Sequence, residues 1–273
     1  TVIEVPGKIV YDRGTPWMHT ITDAEPHGTQ PMSLRDIIVH SSNIGTLLLT
    51  DEVGTERFGA YLESFGFGQK TALDFPNESA GLFKPASEWQ GTERQSHSYG
   101  YGYSVTALQL AAAVNTVANG GVYVAPKLVE AVIGADGEVT DTPAAATHQV
   151  IQPATAATMT DMMKGVVCEG TGKGAQIPGI SVAGKTGTAY KVQDDNTYGA
   201  AGTRAYRASF VGYFPADAPR VTILVTIDEP DPTSNDRFGG KAAAPLFSSI
   251  ATAAIHELQI TPTPGDSGCP AAG

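Results

Sequence analysis

Apolar residues recur at helical spacing through most of the chain, and condense into short β-branched runs only after residue 180. Leu34, Ile37 and Ile38 follow Ser33, which with Asp36 forms a Ser-x-x-Asp capping box, so a helix is predicted to open at Ser33 and reach Ser41-Ser42-Asn43. Ile44 to Leu49 continues as an apolar helical stretch. Thr55 is read as the cap of a further helix carrying Phe58, Tyr61, Leu62 and Phe65, with Gly66 ending it. A second capping box, Thr106-x-x-Gln109, opens a helix through Leu110, Val114 and Val117 that stops at Gly120-Gly121. Further helices are predicted from about Ala154 to Val167 and from Leu246 to Leu258.

The strand signals are Val182–Val192, Ala208–Phe214 and Arg220–Asp228, bounded by turn residues. Val221 to Ile227 is so apolar that it reads as a central strand buried on both faces. Residues 1–30 read as short extended pieces and turns, and residues 66–103 as mostly irregular. Helices first and antiparallel strands last predict one α/β (α+β) domain over residues 1–258, an antiparallel sheet flanked by helices. Residues 259–273, rich in proline and glycine, read as a disordered tail.

Composition narrows the function classes. A net charge of −11 with scattered Lys and Arg argues against nucleic-acid partners and a general anionic-membrane surface. No apolar run approaches the roughly 20 residues of a spanning helix. The six histidines and two cysteines show no metal spacing, so neither metal nor other cofactor is expected. Cys168 lies in an apolar helical pattern and reads as a small core residue, and Cys269 reads as free.

Two short motifs could carry chemistry. Ser41-Ser42-Asn43 is weak alone, since Ser-x-Asn occurs about once by chance in a chain of this length and also suits a helix end. Lys185-Thr186-Gly187-Thr188 is rarer, arising by chance in about one in a few hundred such chains, although a strand edge with a glycine bulge would also explain it. Their order is that of the second and third motifs of serine acyl-transfer enzymes, Ser-x-x-Lys, a Ser-Asp-Asn-like triplet and Lys-Thr-Gly. The surrounding stretches, among them Tyr99-Gly100-Tyr101-Gly102, Ala118-Asn119-Gly120-Gly121, Glu169-Gly170-Thr171-Gly172, Ala208-Ser209-Phe210-Val211-Gly212 and Gly239-Gly240, make the chain resemble class B penicillin-binding proteins of the septal cell-division type. The resemblance runs from near Thr1 to about Leu258.

The resemblance implies a penicillin-binding transpeptidase/β-lactamase-like fold and a peptidoglycan D,D-transpeptidase on the outer face of the bacterial cytoplasmic membrane. Its implied partners are stem peptides ending in D-Ala-D-Ala, β-lactams and membrane proteins of the division machinery. Lys185 would supply a positive charge, and Thr186 and Thr188 hydroxyl donors, for the substrate's terminal carboxylate. Gly187 leaves room for an extended peptide beside the strand. The Thr188 N–H would form half of an oxyanion hole, Ser41 would relay a proton toward the leaving amine, and Asn43 would hydrogen-bond a substrate amide. Tyr99-Gly100-Tyr101-Gly102 reads as a structural loop near the cleft. No serine of the chain is followed by x-x-Lys, so the nucleophile helix and the first strands of the family domain are expected upstream of Thr1. The chain by itself is then expected to be inactive and marginally stable, with Val221–Ile227 as a bare edge. Two alternatives stay open: a non-catalytic interaction module of the division machinery, favoured by the missing nucleophile, and a β-lactamase-like hydrolase.

Overall fold

The computed structural model describes all residues except 12, 16, 17, 74, 195, 196, 201, 202, 232, 264, 267 and 270–273. The chain starts with four short strands, β1 (Val2–Val5), β2 (Ile9–Tyr11), β3 (His19–Ile21) and β4 (Gln30–Ser33). They form two antiparallel pairs, β1 with β4 and β2 with β3. Helices α1 (Leu34–His40), α2 (Asn43–Val53) and α3 (Thr55–Ser64) follow. The Ser33–Asp36 capping box is present at α1 as expected. The helical stretch is not continuous, however: Ser41 takes a left-handed conformation (φ 58°, ψ 47°) and Ser42 starts a new helix as its N-cap. Thr55 is the first residue of α3 rather than its cap, which is Gly54. Val5, Ile21, Met32, Ile37, Ile44 and Leu47 close over one another as the core of this half.

Residues 66–103 are largely irregular, with α4 (Glu93–Ser98) the one α-helix described there. Buried Gln109 of α5 (Ala107–Ala118) organises them. Its Nε2 donates to the carbonyls of Gln69 (2.8 Å) and Ala80 (2.9 Å), while its Oε1 accepts from the Thr106 N–H (2.7 Å). One side chain thus completes a capping box and ties down two loop carbonyls. Gln109→Leu strips these partners inside the protein and is expected to cost about 2–4 kcal/mol, at about 1–3 kcal/mol per unsatisfied group. Urea unfolding would show it, and a loss below about 1 kcal/mol would mean the loop is held elsewhere.

Small hairpin pairings come next, β5 (Val122–Val124) with β8 (Thr147–Gln149) and β6 (Ala131–Ile133) with β7 (Val139–Asp141). After α6 (Pro153–Cys168) the chain builds the main antiparallel sheet, in order β11-β10-β9, from β9 (Ala183–Tyr190), β10 (Tyr206–Phe214) and β11 (Val221–Asp228). Alternation along the middle strand sorts its side chains. Phe210 and Phe214 join Phe247 of α7 (Gly239–Glu257) on one face, and Tyr213 meets Met163 of α6 and Ala183 on the other.

Three expectations are corrected. β11 is an edge strand, the bare edge that the resemblance implied and not the central strand that its apolar run alone suggested: its residues pack against α7 and α5 on its faces, but no second strand pairs with it among the described residues, and of its eight residues only Val225 is buried. Face burial makes a strand apolar whether or not its outer edge is paired. The last helix starts at Gly239, seven residues before Leu246. Gly239-Gly240 looks like a helix breaker, yet these glycines serve close approach, since a Cβ at Gly239 would fall on the Gly187 and Ser209 carbonyl oxygens and one at Gly240 on that of Thr171. Finally, the described part of the segment after Leu258 is docked, and Cys168 and Cys269 form a disulfide with Cα atoms 5.2 Å apart. Ile260 lies in the main core, and Asp266 accepts from the N–H and hydroxyl of Ser181 (2.9 and 2.7 Å). Loop-like composition hides long-range fastenings of this kind.

Candidate active site

The break between α1 and α2 places Ser41 where the end of one helix, the start of the next and strand β9 converge. Lys185 Nζ donates to Ser41 Oγ at 2.7 Å and to its neighbour's carbonyl, Thr186 O, at 3.1 Å. The two motifs, 144 residues apart in sequence, thus meet through a direct hydrogen bond. Desolvation brings the Lys185 ammonium down from its ordinary value to about 8.

β9 is the other edge of the main sheet, pairing with β10 alone among the described residues. Backbone N–H groups of a strand alternate between its two edges. The Tyr190 N–H leaves the sheet to reach the Tyr101 hydroxyl (3.0 Å), so the N–H of Thr188, two residues earlier, points out along the same edge. The Thr188 hydroxyl accepts from the Gly239 N–H at 3.0 Å, which leaves its own proton free to donate. Thr186 Oγ1 lies 2.7 Å from Thr171 Oγ1, so the rim carries a pair of coupled hydroxyls. Gly187 pairs across the sheet with Ser209, and a Cβ there would meet the Ser209 hydroxyl.

Asn43, in the first turn of α2, donates from Nδ2 to the Thr22 carbonyl at 3.0 Å, which turns its amide oxygen away from that partner and leaves it to accept. Ser42, between the two candidate residues, is buried and points the other way: its hydroxyl caps α2 at the Gly45 N–H (2.9 Å) and donates to Asp23 (2.6 Å). Arg35 of α1 pairs with Asp161 of α6 and with Glu169 just past its end, linking the helix that ends at Ser41 to the one that leads to Thr171.

All six candidate residues, Ser41, Asn43, Lys185, Thr186, Gly187 and Thr188, lie in the α1–α2 turn or on β9. Tyr101 is near them through Tyr190, with burial pushing its phenol up to about 12. Thr171, the Gly239 N–H, and Thr22 and Asp23 behind the serine motif were not read from the sequence. Thr171 and Gly239 stood within quoted stretches, but no spacing rule joins any of these four to the motifs.

The penicillin binding protein transpeptidase domain model matches residues 3–252. Penicillin-binding protein PbpB of Mycolicibacterium smegmatis is 38% identical over 273 residues, covering 97% of this chain and 41% of that protein. Stage V sporulation protein D of Bacillus subtilis is 35% identical, over 86% of this chain and 36% of its own length. The chain therefore spans about two fifths of the length of such relatives. A crystal structure of penicillin binding protein 3 from Mycobacterium tuberculosis complexed with aztreonam is similar over 100% of this chain and 60% of that one, with a TM-score of 0.84 and 34% identity. Joined motifs, fold and family model agree: the chain belongs to the penicillin-binding protein transpeptidase domain family, with class B penicillin-binding proteins as its relatives.

Proposed function

We propose that the chain forms the substrate-binding wall of a serine D,D-transpeptidase that cross-links peptidoglycan stem peptides at the division septum. The observation that carries the reading is the Lys185–Ser41 hydrogen bond, which joins a carboxylate anchor to a proton-relay hydroxyl at the open edge of β9. A peptide ending in D-Ala-D-Ala would lie along that edge as an added strand. Its carboxylate would take the Lys185 ammonium and the hydroxyls of Thr186 and Thr188, and Asn43 would accept from one of its amides. The Thr188 N–H would then face the penultimate carbonyl, where negative charge develops.

In the acyl transfer a serine Oγ–acyl bond forms, the D-Ala–D-Ala amide C–N bond breaks, and the proton released by the serine reaches the leaving amine through Ser41. The attacking serine is not a Ser-x-x-Lys of these 273 residues. β-Lactams would act as substrate mimics at the same wall. The Cys168–Cys269 bond supports the outer face of the cytoplasmic membrane as the location, since disulfides persist in oxidising compartments. Membrane proteins of the division machinery would be its partners there. The alternative reading is a non-catalytic interaction module of that machinery.

Calorimetric titration of the chain with a D-Ala-D-Ala-ending peptide and with its C-terminal amide tests the proposal. The free acid is expected to bind at least about tenfold tighter, from one charge-assisted hydrogen bond. Equal affinities, or no binding, would remove the carboxylate site and leave the module. Intact-mass spectrometry after exposure to benzylpenicillin is expected to show no gain, and a stoichiometric adduct would mean that a serine within these residues attacks.

A further inference from the structure

We propose that Asp23, with Thr22 and His27, is a positioning clamp for the Ser41–Asn43 motif, and that the charge on His27 sets how firmly the clamp holds. The inference rests on the reading of that motif given under Proposed function. The residues lie in the loop between β3 and β4, where sequence reading found only turn punctuation.

Asp23 reaches the motif with both carboxylate oxygens. Oδ2 accepts from the Ser42 hydroxyl (2.6 Å) and Oδ1 from the Ile44 N–H (3.0 Å). The preceding carbonyl, Thr22 O, takes the Asn43 side-chain amide (3.0 Å). Two neighbouring loop residues therefore hold positions 42, 43 and 44, one after another. What they hold is unusual backbone: Ser41, just before, is a non-glycine residue in the left-handed region, which side chains seldom adopt without outside support. The grip fixes where the Ser41 hydroxyl meets Lys185 and where the Asn43 oxygen points. Neither Asp23 nor Thr22 faces the substrate edge of β9 in any of these bonds, so both act through the motif.

His27 locks the carboxylate from behind. Its Nε2 lies 2.9 Å from Asp23 Oδ2, and its Nδ1 lies 2.6 Å from the Gly28 carbonyl. Both partners can only accept, so both ring nitrogens must donate, and only the imidazolium carries two N–H groups. The Asp23 side chain is 8% exposed and that of His27 15%, which limits competition from water. The hydrogen bonds to Asp23 and to Gly28 raise the His27 pKa in the same sense. Asp23 is the group whose charge acts on His27, and the Gly7 turn lies against the His27 backbone. As pH rises through the raised value, one of the two N–H donors is lost. Asp23 then keeps its other donors but loses the cation that fixes it.

NMR titration of the whole chain tests the clamp without any ligand. The His27 ring carbons and the Ile44 amide are expected to titrate together, with a midpoint above the ordinary histidine value. Asp23→Asn should return His27 toward that value and uncouple Ile44. An ordinary midpoint in the wild type, or an Ile44 amide indifferent to it, would overturn the proposal. Peptide titrations then test its consequence. Asp23→Asn should weaken D-Ala-D-Ala-peptide binding about tenfold to a hundredfold at neutral pH, the scale expected of a small misplacement. His27→Gln should flatten the fall in affinity through the histidine range while keeping the separate fall near pH 8 that belongs to Lys185. Unchanged affinity and pH profile in both variants would overturn the positioning role. Coupled NMR titration in a wild-type chain that binds no peptide would support the clamp and sink the transpeptidase reading instead.

Discussion

Lys185→Met is expected to make the protein more stable and at the same time to weaken its hold on the peptide. The ammonium is desolvated, and its pKa falls to about 8 for that reason. The gap from the ordinary lysine value corresponds to about 3 kcal/mol, at about 1.4 kcal/mol per pH unit. The side chain keeps partial contact with solvent, so a gain of about 2 kcal/mol at pH 7 is the expected effect of methionine. The pH dependence has a definite direction. Below pH 8 both folded and unfolded chains carry the charge, and the folded one bears the full desolvation cost. Between about pH 8 and 10.5 the folded state releases its proton first, so stability rises with pH across that window. The variant should lack the rise. Binding moves oppositely: without the ammonium, affinity for the peptide acid should drop about tenfold to a hundredfold, and wild-type affinity should fall as pH passes 8. Thermal unfolding from pH 7 to 10 beside peptide titration checks both. A variant less stable than wild type at pH 7 would show that the bonds to Ser41 and Thr186 outweigh desolvation, and that Lys185 is a structural residue.

What could be read from the sequence follows the range of the interactions involved. The capping boxes at Ser33–Asp36 and Thr106–Gln109 are contacts between neighbours, visible as a three-residue spacing, and both are in place. The three late strands were visible because short β-branched and aromatic runs bounded by turn residues are also a local signal, although their bounds moved by a residue or two. Ser41 and Lys185 were read because each stands in a motif of known order. Their 2.7 Å contact is a tertiary fact that no local pattern carries. The same holds for β11, whose place at the edge depends on which strands pair and not on its own residues. Asp23 and His27 sit in a loop without periodicity, and their meaning appears only when the α1–α2 turn folds back on them. Glycines misled where packing required them, as at Gly239, where absence of a side chain permits contact with β9 and β10.

The site itself is mostly a meeting of helix ends with a strand edge. Ser41 ends α1, Thr171 follows α6, and Gly239 starts α7, all converging on β9, with Asn43 starting α2 two residues after Ser41. Helix ends leave backbone donors and acceptors without helical partners. Here several of these groups order hydroxyls instead: the Gly239 N–H holds Thr188, and the Gly45 N–H holds Ser42. A site assembled this way needs the helices fixed relative to the sheet, which makes the fastenings between them part of its chemistry.

Breaking the Cys168–Cys269 bond is therefore expected to have the largest effect on stability of any change outside the site. The bond closes a sequence separation of 101 residues, a loop that contains β9, β10, β11 and α7. Restricting the unfolded chain by a loop of that length is worth about 4–5 kcal/mol in the chain-entropy account. For a chain of this size that is a fall of about 7–9 °C in Tm. The folded side contributes too, because the bond holds down the segment that brings Ile260 into the core and Asp266 onto Ser181, just before β9. Cys168 is also the last residue of α6, three before Thr171, whose hydroxyl meets Thr186 at the rim. Reduction should thus lower peptide affinity as well as Tm. Thiol titration of the unfolded, unreduced chain should find no free cysteine, and Cys168→Ser with Cys269→Ser should match the reduced wild type in Tm. A double variant within about 1 kcal/mol of the oxidised protein would mean that Ile260 and Asp266 hold the segment without the bond, and that the covalent link is not what fixes α6 to the sheet.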